Sequence, residues 1–377
     1  MHAVPIRPGN GVATSPTPVV RIDTATVARR YVELAAALPG VELHYAVKAN
    51  PAAPVLRTLN REGASWDVAS AGEIDAVLAV GGDPDRMSFG NTVKRVADIC
   101  YAHQLGVRRF SFDAVGELAK LVRFAPKATL MVRIATDGRG AGWALGGKFG
   151  CAEPVAADLL ARAVAAGHPV GVTFHVGSQQ RDPMTWDEPL AATARLRAGL
   201  HAGGTDLSVV NVGGGFPAAM LEPVPPIAQY GAAIRRALDE HLGTDRPPVI
   251  AEPGRFLVAD AGVLETEVLL VAERGQARWV YLDAGLFTGL VETIGETIRY
   301  RVDVLRDGEP LGGPDGEVVL AGPTCDSLDV LYAQHRYRLP LDLRPGDRMR
   351  WRSTGAYTAA YSTVGFNGFA PLSEVYS

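Results

Sequence analysis

The sequence predicts an α/β protein: a (β/α)8 barrel followed by a β-rich second domain. Three observations carry that prediction. From about residue 42 to 254, short β-rich apolar runs alternate with longer helical stretches, the pattern of a parallel sheet. Eight such runs fall within about 210 residues, which suits a barrel better than a doubly wound sheet. Beyond residue 256 the alternation stops, and β-rich segments follow one another without long helices between them.

In order, the expected barrel strands are ELHYAVK (42–48), SWDVA (65–69), RMSFG (86–90), RRFSFD (108–113), TLMVRIA (129–135), PVGVTFHV (169–176), LSVVNV (207–212) and PPVIAE (247–252). Residues 71–80, 93–106, 152–167 and 226–242 are rich in Ala, Leu, Arg and Glu with helical apolar spacing, and they predict the intervening helices. The segments FLVADAGVLETEVLLVAE, ARWVYLDAG, EVVLAGPT and DRMRWRSTG read as a separate antiparallel β domain. The expected boundaries are 23–256 for the barrel and 257–377 for the β domain, with residues 1–22 adding a strand to the latter through VVRI (19–22).

With 377 residues, 47% of them hydrophobic and 21% charged, the chain has the profile of a soluble globular protein, and disorder or a fibrous role is disfavoured. Lys plus Arg (37) against Asp plus Glu (41) leaves a formal charge of -4 without any long basic run, which speaks against a nucleic-acid or membrane-surface partner. The opening MHAVPIRPGNGVATSP lacks a signal-peptide core, and no segment approaches 18 uninterrupted apolar residues; a cytoplasmic protein is expected. Cys100, Cys151 and Cys325 form neither a disulfide framework nor a zinc pattern, so no metal is expected.

In such a barrel the active site lies at the C-terminal strand ends, and polar residues there carry functional weight. Here those positions hold Lys48, Asp67, Asn91, Asp113, Arg133, His175, the Gly213 to Gly215 run, Glu252 and Arg255. Together they can bind a phosphate and a heterocycle and form an imine. Lys48 ends an apolar strand; a desolvated amine there has a lowered pKa and can attack an aldehyde. The competing reading is a lysine that snorkels or pairs with Asp67. NVGGGFP (211–217) can present backbone N–H groups to a phosphate, although three glycines also make a tight βα turn. The spacing is not that of the dinucleotide fingerprint. Ser178 can add a hydroxyl to the same phosphate or merely cap a turn. His175 can stack on a flat ring or sit hydrogen-bonded at its strand end. Glu252 is suited to hold a proton on a pyridine nitrogen, making the ring an electron sink, and Arg255 to reach a phosphate. A structural Glu–Arg ion pair is the alternative. In the second domain, GPTCDS (322–327) sets Cys325 and Asp326 in a Gly/Pro-bounded loop, and STGAYTAAYS (353–362) carries Tyr357. A lone cysteine is usually a small buried hydrophobe, yet a thiol can donate a proton and the adjacent carboxylate can hold an amine.

Read together, YAVKANP, WDVASAGE, FGNT, KFGC, HVGSQQRD, GGGFP, EPGR, GPTCDS and GAYT through FNGF (366–369) resemble the pyridoxal-phosphate-dependent ornithine/lysine decarboxylases of the alanine-racemase-like fold. The resemblance runs from about residue 17 to the end and is greatest to bacterial members with HVGSQQRD and a GLxET segment. It implies that Lys48 holds pyridoxal phosphate, that His175 stacks on its ring and that Glu252 meets its pyridine nitrogen. It further implies phosphate contacts from Ser178, Gly214, Gly215, Gly254, Arg255 and Tyr357, with Asp67 and Arg133 around the reactive lysine. Cys325 matches the donor of a proton to the alpha carbon after carbon dioxide leaves, and Asp326 the carboxylate that binds the substrate's distal amine. Both act in the neighbouring subunit's site in this family, so a head-to-tail homodimer is implied.

The resemblance implies decarboxylation of L-ornithine to putrescine, with L-lysine to cadaverine as a second activity and a place in polyamine biosynthesis. One departure concerns the distal pocket. Where eukaryotic ornithine decarboxylases have an Asp, this chain reads LFTGLVETIGETIRY, and Glu296, with Glu292 one turn earlier, is assigned the distal-amine contact. One methylene is worth only about 1 to 3 kcal/mol, so dual activity is compatible with the pattern. The rivals are decarboxylation of arginine or diaminopimelate, a racemase on the same fold, and a catalytically dead regulatory relative. Racemases of this fold place an Arg at the pyridine nitrogen, and Glu252 argues against that. Asp326 and Glu296 would repel the distal carboxylate of diaminopimelate.

Overall fold

The computed structural model of the chain describes residues 16–364 and 372–377; the FNGF motif and nearly all of the opening segment lie outside them. Strand β1 (Val19–Ile22) and helix α1 (Thr24–Ala37) come first, and the Asp23 side chain accepts the Ala25 N–H to cap the helix. There follow β2 (Val41–Ala46), α2 (Ala53–Arg61), β3 (Ser65–Val68), α3 (Ala71–Leu78), β4 (Met87–Phe89), α4 (Val96–Leu105), β5 (Arg109–Phe112), α5 (Val115–Phe124) and β6 (Thr129–Arg133). Next come β7 (Ala141–Trp143), α6 (Glu153–Ala165), β8 (Val170–Thr173), β9 (Ser178–Gln180), α7 (Asp187–Ala202), β10 (Val209–Asn211), α8 (Ile227–Leu242) and β11 (Val249–Ala251).

Strands β2, β3, β4, β5, β6, β8, β10 and β11 pair in parallel and close on themselves through β11 and β2. The expected (β/α)8 barrel is the observed one, and each predicted run overlaps one of these strands, β2 beginning one residue early at Val41. They read as nearly continuous apolar runs because helices cover the outside while side chains fill the inside. Met131, Val209 and Ile250 form an apolar cluster of their own within the larger core. Strands β7 and β9 are an addition: a small antiparallel pair outside the barrel wall.

The run after the barrel departs from expectation. FLVAD is helical, as α9 (Arg255–Val258) and a 3-10 turn (Ala259–Ala261), and only then does β12 (Gly262–Arg274) begin. All four α9 residues are buried, and a short buried apolar helix has no periodicity that separates it from a buried strand. β13 (Ala277–Leu282), β14 (Val302–Arg306), β15 (Glu309–Pro310), β16 (Asp315–Ala321), β17 (Tyr337–Pro340), β18 (Arg348–Arg352) and β19 (Ser373–Tyr376) complete a curled sheet in the order β15-β14-β18-β12-β13-β16-β17. It is mostly antiparallel, but β13–β16 and β1–β19 pair in parallel. β1 pairs antiparallel with β12, so VVRI belongs to this sheet.

The second domain reaches the barrel mouth through the segment after β18. Tyr357 N–H donates to Ala49 O at 2.9 Å, and Asn50 Nδ2 donates to Gly355 O at 3.1 Å. Those two bonds hold Tyr357 next to the turn that bears Lys48.

Candidate active site

One cavity of about 480 Å³ opens at the C-terminal strand ends, lined by Lys48, Asp67, Arg133, His175, Ser178, Gly215, Glu252, Gly254, Arg255 and Tyr357. Residues spread over more than 300 positions of sequence therefore converge, and Asn91 joins them. Asp113 does not: its carboxylate accepts the Gly150 N–H at 2.8 Å and anchors the segment that carries β7. That segment contributes Trp143, Leu145 and Phe149 as an apolar wall, and the Arg133 guanidinium lies 5.3 Å from the centre of the Phe149 ring. A larger groove of about 900 Å³ runs past Arg299, Arg301 and Arg336. It is more open and contains none of the strand-end residues, and Arg299 and Arg336 pair with Glu222 and Glu317, so the smaller cavity is the chemically equipped one.

β2 runs into a 3-10 turn (Val47–Ala49) that carries Lys48 to the mouth, where its Nζ lies 3.2 Å from Asp67 Oδ2. About half of the lysine side-chain surface (49%) is exposed, and Lys48 lines the open cavity. The expected depression of the Lys48 pKa is not found. The neighbouring Asp67 carboxylate raises it, outweighing the opposite effect of burial. The Lys48–Asp67 pairing is thus the local arrangement, and the lysine is held charged. Asp67 Oδ1 is buried without a hydrogen-bond partner.

Two further carboxyls stand close by. Glu252, at the end of β11, accepts the Asn211 side-chain N–H at 2.5 Å, and burial followed by repulsion from Asp67 pushes it up to about 7. Asn211 in turn accepts the Gly213 N–H at 2.8 Å, which shapes the glycine turn. Glu73 was not singled out from the sequence. Its carboxylate accepts the Ala69 N–H at 2.7 Å while its own N–H donates to Ser70 Oγ at 3.2 Å, and burial pushes it up to about 7 as well. The Ser70-x-x-Glu73 spacing at a helix start is a capping signal that would have located it.

His175 is neutral. Its Nδ1 accepts the Gly177 N–H at 3.0 Å, and burial, with help from the nearby Arg133 and Lys48 charges, holds its pKa well below the usual range. Gly214 permits its approach, since a Cβ at 214 would stand 2.6 Å from Glu252 O and 3.1 Å from His175 Nε2. Gly215, with φ +106°, takes a conformation in which a Cβ would meet Gly177 O at 2.7 Å.

At the other side of the cavity, Arg255 is almost wholly buried. Its Nη1 and Nη2 donate to Glu292 Oε2 and Oε1 at 2.7 and 2.6 Å, and Nη2 also reaches Ser178 Oγ at 3.1 Å. The Tyr357 ring lies 5.0 Å from the guanidinium carbon. A Glu–Arg ion pair does exist here, but with Glu292 rather than Glu252. Arg255 Nε is buried without a partner. Tyr357 has φ +55°, a costly conformation for a side-chain-bearing residue and one that concentrates at ligand clamps.

Glu296 corrects the sequence reading. Its carboxylate accepts the backbone N–H groups of Ala333, Gln334 and His335 at 2.8, 3.0 and 2.7 Å and pairs with His335 Nδ1 at 2.9 Å. It lines a different depression, with Ile294 and Leu328, and is turned away from Lys48. A kink at Ile294 and Gly295 breaks the helical periodicity, so one turn of helix no longer puts Glu296 over Glu292. Glu292 is the carboxylate that enters the cavity. Cys325 and Asp326 do not line this chain's own cavity either. Cys325 is exposed, and Asp326 Oδ1 accepts the Leu328 N–H at 2.9 Å.

The family model described as the pyridoxal-dependent decarboxylase, pyridoxal binding domain, matches residues 24–259. The chain belongs to the pyridoxal-dependent decarboxylase family. It is 33% identical to the lysine/ornithine decarboxylase of Selenomonas ruminantium, over 94% of this chain and 88% of that one. A crystal structure of the lysine/ornithine decarboxylase of Vibrio vulnificus complexed with putrescine superposes with a TM-score of 0.85 at 33% identity, covering 96% of this chain and 94% of that one. The arginine decarboxylase of Paramecium bursaria Chlorella virus bound to agmatine does so with a TM-score of 0.87 at 29% identity, covering 96% and 98%. The chain is therefore a pyridoxal-phosphate-dependent amino-acid decarboxylase.

The cavity fits that cofactor on its own evidence. An orphaned, buried Arg255 Nε beside Ser178 Oγ is a donor set for a phosphate oxygen. The neutral His175 offers a flat face, and Lys48 an amine. Among the described residues no cluster of His, Cys, Asp and Glu suits a metal ion, and no helix is long and apolar enough to cross a membrane.

Proposed function

We propose that the chain decarboxylates a basic L-amino acid, L-ornithine to putrescine and also L-lysine to cadaverine, at a site shared between two copies of the chain. The observation that carries this reading is Glu252, a buried carboxyl raised to about 7 at the end of β11, in the same cavity as the Arg255–Ser178 donors. A carboxyl in that place keeps a pyridine nitrogen protonated, whereas a racemase needs the ring less electron-withdrawing. The names of the relatives point to lysine and ornithine, and the viral neighbour makes arginine the second candidate.

Pyridoxal phosphate, when bound, supplies the sink for the electron pair left behind as the substrate carboxylate departs. The chain's residues do the rest. Lys48 is the covalent anchor, and Asp67 sets its charge and direction. His175, kept neutral by burial and oriented by the Gly177 N–H, would support the ring without competing for protons. Ser178, Arg255, Gly215, Gly254 and Tyr357 hold the phosphate, and Arg133 with the Trp143–Phe149 wall limits water access. Cys325 and Asp326 of a second copy supply the proton to the alpha carbon and the contact to the distal amine; the exposure of Cys325, and the absence of both residues from their own chain's cavity, support a homodimer. A cytoplasmic location suits such an enzyme.

Product analysis by mass spectrometry after incubation with pyridoxal phosphate and L-ornithine, L-lysine, L-arginine or meso-diaminopimelate, each alone, tests the reading. Putrescine and cadaverine are expected. Agmatine as the main product would transfer the assignment to arginine, and racemised substrate without amine would overturn it.

A further inference from the structure

Glu292 presents an electrostatic puzzle: a buried carboxylate inside the cavity, beside the donors assigned to the cofactor phosphate. The geometry explains its place. An arginine offers five N–H donors in one plane. Glu292 occupies the far end of that plane, one oxygen on each terminal nitrogen, at 2.7 and 2.6 Å. What remains is the side edge, made of Nε–H and the second Nη2 N–H, together with the single outer N–H of Nη1. Along that edge Nη2 reaches Ser178 Oγ at 3.1 Å and Nε has no partner. Tyr357 covers the guanidinium face, and the Tyr300 hydroxyl stands 3.5 Å from Glu292 Oε2. The pair is 3% and 7% exposed, so water cannot substitute for either partner.

From this arrangement we infer that Glu292 is a positioning residue of the cofactor site: it clamps Arg255 end-on, so that the two-donor Nε–Nη2 edge is the one presented to the phosphate beside Ser178. The inference rests on the phosphate-cradle role given above to Arg255 and Ser178. It separates two opposite expectations. A carboxylate acting only by its charge repels the phosphate, and its removal tightens cofactor binding. A carboxylate acting by geometry holds the guanidinium in register, and its removal weakens binding.

The test uses full-length holoenzyme resolved by dialysis and re-titrated with pyridoxal phosphate and, separately, with pyridoxal, which lacks the phosphate. Glu292→Gln removes the charge and one acceptor; Glu292→Asp keeps the charge but is one methylene too short for the bidentate pair. Both are expected to weaken pyridoxal phosphate roughly tenfold to a hundredfold, the worth of a charged hydrogen bond, while pyridoxal changes by less than about twofold. Tighter or unchanged pyridoxal phosphate binding in Glu292→Asp overturns the inference, as does an equal loss for both ligands. If Glu292→Gln does not fold, Glu292→Asp decides alone. Arg255→Ala separates the two layers. If it leaves the preference for pyridoxal phosphate over pyridoxal intact, the cradle reading is wrong; if it abolishes that preference while the Glu292 variants do not, only the positioning role is wrong.

Discussion

Replacing Glu252 by Gln tests the electrostatics of the site through stability, independently of turnover. In the folded chain this carboxyl is raised from 4.5 to about 7, chiefly by burial. The folded state thus holds its proton more tightly than the unfolded state. The favourable difference is complete below pH 4.5, diminishes as pH rises through 7, and leaves a constant penalty above it. A displacement from 4.5 to about 7 corresponds to about 3 kcal/mol, of which a little under 1 has already accrued at pH 5. Glutamine keeps an acceptor for Asn211 and never ionises. Urea denaturation of cofactor-free wild type and Glu252→Gln at pH 5 and pH 8 gives the double difference directly, in which the cost of housing the amide cancels. The variant should gain about 2 to 3 kcal/mol relative to wild type between those pH values. It should also lose most activity, because an amide cannot keep a ring nitrogen charged. A double difference near zero would mean that Glu252 ionises as it does in water, and the account of burial and Asp67 raising it would fail.

Three further outcomes follow from the same geometry. Lys48→Ala should abolish the visible absorption of bound cofactor and all turnover; unchanged absorption would refute the anchor. Mixing inactive Lys48→Ala with inactive Cys325→Ala should restore roughly a quarter of wild-type activity if each site takes Lys48 from one copy and Cys325 from the other; no recovery after subunit exchange would refute the shared site. Glu296→Ala should lower stability by only about 1 kcal/mol, because the freed amides of residues 333–335 are exposed and water can take them, yet leave the ratio of kcat/KM for ornithine and lysine unchanged; an altered ratio would return Glu296 to the substrate pocket.

The barrel was legible because its chemistry is periodic. Parallel strands covered on both faces write apolar runs, and turns bring each run's polar end to one face, so Lys48, His175 and Glu252 could be placed before any coordinates. What the sequence hid was packing without a period. Residues 255–258 form a buried helix with no exposed face to betray it. Glu73 is marked by its capping spacing to Ser70, but the burial that raises its carboxyl is a matter of packing that no spacing supplies. The Lys48 pKa went the other way from expectation because the outcome depends on a 3.2 Å distance to Asp67 that no spacing rule supplies.

Glu292 and Glu296 show the same limit more sharply. Four residues apart, they occupy one helical face if the helix continues, and on that premise either can serve the substrate. The chain instead breaks at Ile294 (ψ 129°) and Gly295 (φ 72°). The two carboxylates then serve different masters: Glu292 binds a guanidinium inside the cavity, and Glu296 gathers three backbone amides of residues 333–335. Those amides belong to the segment that follows Cys325 and Asp326. One kinked turn thus holds Arg255 at one end and steadies, at the other, the stretch that leads back to the Cys325–Asp326 loop. A glycine at 295 is what makes this division feasible, since its positive φ is the conformation that side-chain-bearing residues resist. Gly295→Ala should therefore disturb both ends together, weakening cofactor retention and loosening the 333–335 segment. Loss at one end alone would show that the two carboxylates are positioned independently.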